Sequence, residues 1–282
     1  MSYKFSKIIF IAFINFIQQS AFSDVTSDEE QGVFNFILTN DWFFKTDRDY
    51  TSGLAFTYTM PQQNVPEFFR ETTQNLPLFS ENGIVRISYT LGQNIYTPWT
   101  PQEKNPSPTE RPYAGYLFTG FVISDDAENY RDQLEAQIGL IGRFSYAEEV
   151  QDHTHKVSNS SVFQGWSTQL KNEIGVILSY KRDFKIITTS TFDLIGNYIV
   201  AVGNVYDYLA AGALTRIGMN LPKDYGPLRP EPNLPGSAHF EETATFGYYA
   251  FLGLDQRAIA HNLFLDGNTF ENSKRVSKNH FV

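Results

Sequence analysis

The stretch from Arg131 to Phe144, "RDQLEAQIGLIGRF", decides the fold. Leu134, Ala136, Ile138 and Leu140 alternate along it with Gln133, Glu135 and Gln137, the second series continuing to Arg143. Successive strand side chains point to opposite faces, so the segment predicts a strand with one apolar and one polar face. The pattern repeats in "STQLKNEIGVILSY", where Leu170, Ile174, Val176, Leu178 and Tyr180 oppose Gln169, Lys171, Glu173, Gly175 and Ser179. Both runs exceed the roughly 5 or 6 residues of an ordinary globular strand. They match the roughly 9 to 11 residues that a tilted strand needs to cross an outer membrane.

Working outward, the same alternation predicts strands over Phe34 to Asp41, Tyr50 to Met60, Gly83 to Gln93 and Tyr113 to Ser124. Later strands are visible in "FKIITTSTFDLIGN", "YIVAVGNVYDYLAAGALTRIGMN" and "FEETATFGYYAFLGLDQRAIA". No stretch of helical period is long enough to compete. Two connections read as short and polar, "DDAEN" and "KRD"; three are long, "WFFKTDRD", "NIYTPWTPQEKNPSPTERP" and "SYAEEVQDHTHKVSNSSVFQGW". Alternating tight turns and long loops are how outer-membrane barrels are built. The predicted fold is therefore all-β, an antiparallel up-and-down transmembrane β-barrel. A soluble sandwich or ligand-binding barrel also alternates, but tyrosine and phenylalanine cluster near the strand ends as interfacial girdles do. The polar ending "RVSKNHFV" fits a closed barrel poorly, because the last strand must pair with the first.

Composition agrees. Aromatics make up 16% of the 282 residues, with 25 Phe and 16 Tyr, yet the mean hydropathy is only -0.31. The start, "MSYKFSKIIFIAFINFIQQSAFSD", has a basic end, an apolar run from Ile8 to Ile17 and small residues at Ala21 and Ser23. It reads as a secretory signal over residues 1–23, followed by one barrel domain over residues 24–282. With no cysteine a disulfide scaffold is excluded. The net charge of -9 argues against a nucleic-acid partner, whose phosphates call for excess Lys and Arg, and suits divalent cations.

In an up-and-down barrel the three long loops share one mouth. On that rim fall Asn40 and Asp41, Thr51, Gln93 and Asn94, and Gln151, His153 and His155. Parity puts Asp41 with Asn35 and Thr39, and Thr51 with Thr57 and Thr59, so both are expected to point into the barrel. A carboxylate, an amide, hydroxyls and an imidazole then converge inside the mouth, a hydrolytic constellation whose oxygen ligands suit calcium better than zinc. The loop "NDWFFKTDRDYTSG" could equally be turn chemistry, and "HTH" two solvated residues. No G-x-S-x-G elbow surrounds Ser160 and Ser161.

The segments "NDWFF…TDRDYTSG", "GQNIYTP", "ERPYAGYL", "VQDHTHKV" and "GWSTQLKNE", in this order and spacing, resemble the outer-membrane lipid A 3'-O-deacylase family. The resemblance covers most of the mature chain. It implies a twelve-stranded barrel in the bacterial outer membrane, a monomer whose extracellular mouth hydrolyses the 3'-acyl ester of lipid A (lipopolysaccharide) and requires calcium. Carried over by position, the implied catalytic residues are Asn40, Asp41, Thr51, Gln151 and His155; Asn40, Asp41 and Thr51 are the candidate calcium ligands, with Asn40 and Asp41 either holding the ion directly or orienting the base. The Q-x-x-x-H spacing selects His155 over His153. Histidine suits a base that activates water near neutral pH, and bound calcium would polarise the ester carbonyl. Lys104, Arg111 and Lys156 are the loop cations available for the substrate's phosphates.

Two departures stand out. Some family members carry an acidic residue six positions after the histidine, where this chain has Ser161; either Glu148, Glu149 or Asp152 substitutes, or the role is absent and activity reduced. About ten strands are counted, so the family's last hairpin is expected to be missing after Val282. A non-enzymatic porin-like or structural barrel, and a phospholipase acting at the same site, are the competing functions.

Overall fold

The computed structural model describes residues 30–40, 49–80, 82–158, 162–227 and 246–282. The expected signal segment, Asp41 and Ser161 lie outside them. Nine strands form one antiparallel sheet in strict sequence order. They are β1 (Val33–Asn40), β2 (Asp49–Thr59), β3 (Ile84–Thr97), β4 (Ala114–Asp126), β5 (Tyr130–Ile141), β6 (Glu173–Thr188), β7 (Phe192–Gly203), β8 (Tyr206–Met219) and β9 (Tyr248–Asn262).

The sheet is inside-out relative to a soluble sandwich, as its alternation demands. Phe34, Phe36, Leu38, Phe56, Leu91, Ile138, Val202 and Leu209 are exposed on the outer face. Many buried polar side chains of the strands face inward, and several bond one another there. Thr57 meets Thr90 at 2.9 Å, Thr59 meets Ser88 at 2.8 Å, and the Ser179 hydroxyl donates to Glu135 at 2.8 Å. Such a surface is stable where the outside is hydrocarbon.

Three expectations need correction. The "KRD" read as a turn lies inside β6, and the true turn falls at residues 189–191. The charges are tolerated mid-strand because each finds a partner: Asp183 takes Arg131 and Lys181, both at 3.1 Å, and Arg182 bonds Asp132 at 2.6 Å. Nine strands are described where about ten were expected, because "FKIITTSTFDLIGN" is not a strand of its own: it ends β6 and, past the turn at residues 189–191, begins β7. Long and short connections also do not alternate strictly. Residues 60–83, opposite the predicted mouth, carry helix α1 (Glu67–Asn75).

The mouth is plugged. After β9 the chain makes a helical turn, α3 (Leu263–Asp266), that drives Leu263 and Phe264 into the lumen, both fully buried. Phe264 stacks on Tyr96 with ring centres 4.2 Å apart and lies 5.6 Å from Tyr206, while the Tyr96 and Tyr206 hydroxyls meet at 3.1 Å. The tail then returns along β9, where Val282 and Arg257 exchange backbone hydrogen bonds.

Candidate functional site

"VQDHTHKV" is a helix, not a loop: α2 spans Ala147–Ser158. The chain enters it through Gly142 at φ 79° and Tyr146 at φ 56°, two left-handed residues that turn it back onto the wall. At Gly142 a Cβ would fall 2.7 Å from the Lys171 backbone, so glycine is required twice over. Ala147, Gln151 and His155 are buried, whereas Val150 and Val157 are exposed. Positions i, i+4 and i+8 share a helix face. The wall-facing side of α2 is therefore the Q-x-x-x-H side, and His153 is exposed on another.

That wall is the outer one. In β3, Tyr89 and Leu91 face outward, and alternation puts Gln93 and Ile95 on the same face. Gln93 donates to the Ser145 carbonyl at 2.6 Å, and Ile95 packs with Tyr113, Ala147, Phe163 and Trp166. At the neighbouring outward Gly115 a Cβ would fall 2.3 Å from that of Ala147, so only glycine lets the helix lie so close. The expectation that His155 lies inside the mouth is thus corrected. An outward row of Ile95 and Gly115 is indistinguishable in sequence from a lipid-facing row until a loop folds over it.

Register extends this row. Asn40 pairs with Ser52, Ser52 with Ile95, and Ile95 with Gly115, so Asn40 occupies the row that continues under α2. Thr51 is the extra residue of a bulge, because Tyr50 pairs with Tyr96 and Ser52 with Ile95. The alternation that placed it inward with Thr57 and Thr59 does not run through this point.

The helix face is held by residues to which the sequence assigned no role. The Trp166 indole N–H donates to Gln151 Oε1 at 3.0 Å, and Phe163 meets the His155 ring edge-on at 4.5 Å. An indole N–H only donates, so the amide oxygen must face it and the Gln151 NH2 must face away. That Nε2 is buried with no hydrogen-bond partner among the described residues. Trp166 is itself fixed by the β3–β4 loop: the Tyr113 hydroxyl donates to Pro101 O at 2.5 Å, and Gln164 N donates to the same carbonyl at 3.1 Å. The tryptophan sits in the "GWSTQLKNE" segment, but its partner could not be read from sequence.

Among the acidic candidates, Asp152 lies three residues before His155, within side-chain reach on a helix. Its Oδ1 is buried without a hydrogen-bond partner among the described residues. Burial and the neighbouring Glu149 push the Glu148 carboxyl up, and Glu149 is exposed. Of the expected cations, Lys156 follows His155 on α2 and Lys104 is exposed in the β3–β4 loop. Arg111 is set apart from them. It stacks on the lumenal Tyr96 ring at 4.7 Å and lines a cleft of about 490 Å³ with Glu110, Lys278 and Leu265 of α3. No group of three or more metal-ligating His, Asp or Glu occurs among the described residues.

The family described as outer membrane protein LpxR matches residues 8–282. The fold is similar to that of LpxR from Salmonella typhimurium, with a TM-score of 0.71 and 20% identity, over 89% of this chain and 85% of that one. No curated protein sequence matches. The chain belongs to the LpxR family of outer membrane proteins.

Proposed function

We propose that this LpxR-family protein is an outer-membrane ester hydrolase that removes the 3'-linked acyloxyacyl group of lipid A, with His155 as general base. The observation that carries the reading is a buried Gln-His pair on the wall-facing side of a helix that lies against the outside of the barrel. A substrate anchored in the leaflet by its acyl chains approaches a helix on the outer wall sideways, without leaving the membrane.

In this reading His155 takes a proton from water and the hydroxide attacks the ester carbonyl. The carbonyl–oxygen bond of the tetrahedral intermediate breaks, the sugar 3'-oxygen leaves with the proton from His155, and the fatty acid departs as its carboxylate. Asp152 orients the imidazole in place of the acid absent at position 161. The free Gln151 amide donors, aimed by Trp166, bind the carbonyl oxygen as charge develops on it. Lys156 is the cation best placed for a phosphate of the substrate.

Asn40, Asp41 and Thr51 are the residues that would hold calcium. Their donors are all oxygen, as that ion prefers, and Asn40 lies in the row beneath α2. Bound there, calcium would supply Lewis-acid polarisation of the carbonyl. The porin-like alternative is disfavoured by Phe264, which stands buried against the lumenal Tyr96 at the same end.

The test is hydrolysis of purified lipid A by the refolded chain in detergent. Release of a 3-acyloxyacyl acid by the parent but not by His155→Ala supports the proposal. Release of fatty acid from glycerophospholipid alone would transfer the site to phospholipase chemistry.

A further inference from the structure

The connection between β2 and β3, at the rim opposite α2, is strapped across the outside of the wall. The Phe69 ring meets Phe121 of β4 nearly edge-on at 6.5 Å. Ser80 N donates to Asp125 of β4 at 2.5 Å, and Arg182 of β6 donates to Leu78 O at 2.9 Å. Phe121 and Asp125 alternate with the buried Phe118, Val122 and Ser124, so they face outward. Asp125 pairs in register with Asp132, and Asp132 with Arg182, on that same face. Under the strap both carboxylates are fully buried.

The strap also has a level. Phe34, Tyr58, Tyr89 and Phe121 are successive register partners across β1 to β4 and form an outward aromatic row. Such rows mark the boundary between hydrocarbon and headgroups. Helix α1 docks on this row through Phe69, leaving Phe68 68% exposed and Leu78, just beyond the helix, 46% exposed. Glu67, Glu71 and Gln74 supply a polar side.

We propose that α1 is an interfacial helix that binds the glycerophospholipid leaflet on the side away from α2, with Phe68 and Leu78 in the acyl boundary and Glu71 in water. Lipid is the occupant because the surface is continuous with the apolar outer wall, where Phe56 and Leu91 are already exposed. Apolar area drives the contact, and with Glu67 and Glu71 on the polar side it needs no anionic lipid. This inference rests on the outer-membrane family and not on the proposed chemistry, so loss of deacylase activity leaves it standing.

The chain has no cysteine, which permits single labelling. Phe68→Cys, Leu78→Cys and Glu71→Cys would each carry an environment-sensitive fluorophore in the full chain refolded into phosphatidylcholine vesicles. Only protein with the migration of a folded barrel would be scored. Labels at 68 and 78 should emit to the blue and be quenched several-fold more by lipid-borne nitroxide than the label at 71. Equal quenching at all three positions, or stronger quenching of 68 and 78 by aqueous iodide, would overturn the proposal.

Discussion

Replacing Trp166 with Phe should disarm the site without unseating it. The substitution keeps a ring in the cluster with Ile95, Tyr113, Ala147 and Phe163 and removes the donor that fixes the Gln151 amide at 3.0 Å. Both partners are buried, Trp166 to 1% and Gln151 to 4% exposure, so Oε1 is left without a partner. A neutral hydrogen bond contributes about 1 kcal/mol net, and an orphaned buried acceptor costs about 1–3 kcal/mol. The amide escapes that cost by flipping, which turns its NH2 away from the substrate carbonyl. At about 1.4 kcal/mol per tenfold, the lipid A hydrolysis rate should fall about 10- to 100-fold, mainly in kcat. The assay is a double-mutant cycle with Gln151→Ala. If Trp166 acts through Gln151, adding Trp166→Phe to the alanine variant should cost little more. A full multiplicative loss in that background would refute the coupling.

Other outcomes follow from the same geometry. Gly115→Val pushes a side chain into Ser145 and Ala147, whose atoms lie 2.0 and 2.3 Å from the modest space a Cβ needs; hydrolysis should be lost while heat-dependent gel migration still reports a folded barrel. Asp183→Ala removes the carboxylate that Arg131 and Lys181 share at 3.1 Å and leaves Arg131 only its longer contact with Asp126 at 3.9 Å among the ion pairs described, which should lower stability by about 1–3 kcal/mol in urea titrations; no change in midpoint would show that the ion cluster is dispensable. Calcium chelation should stop hydrolysis and added calcium, but not magnesium, should restore it, since calcium accepts irregular all-oxygen coordination whereas magnesium demands a near-octahedral shell; undiminished activity in chelator would remove calcium from the scheme.

The sequence carried the barrel well because strand parity is local information: β5 alternates Gln133, Glu135 and Gln137 inward against Leu134, Ala136 and Ile138 outward, as read. It misled at "KRD", where a charge cluster looks like a turn until the partners on β5 are known. Helix α2 was hidden for a related reason. Its buried face is Ala147, Gln151 and His155, while its valines are exposed, so its apolar pattern points away from the wall it packs on. The spacing of Gln151 and His155 was legible from the family resemblance. Their location outside the barrel was not, since parity says which way Ile95 points but not what covers it. The role of Trp166 was not legible, because its hydrogen bond to Gln151 spans a loop.

The most direct test is mass spectrometry of lipid A from bacteria expressing the chain, with His155→Ala and His153→Ala beside it. The account predicts loss of the 3'-acyloxyacyl mass with the parent and with His153→Ala, and intact lipid A with His155→Ala, all three at equal levels in the outer membrane. Deacylation that survives His155→Ala, or lipid A left intact by the parent, would contradict it.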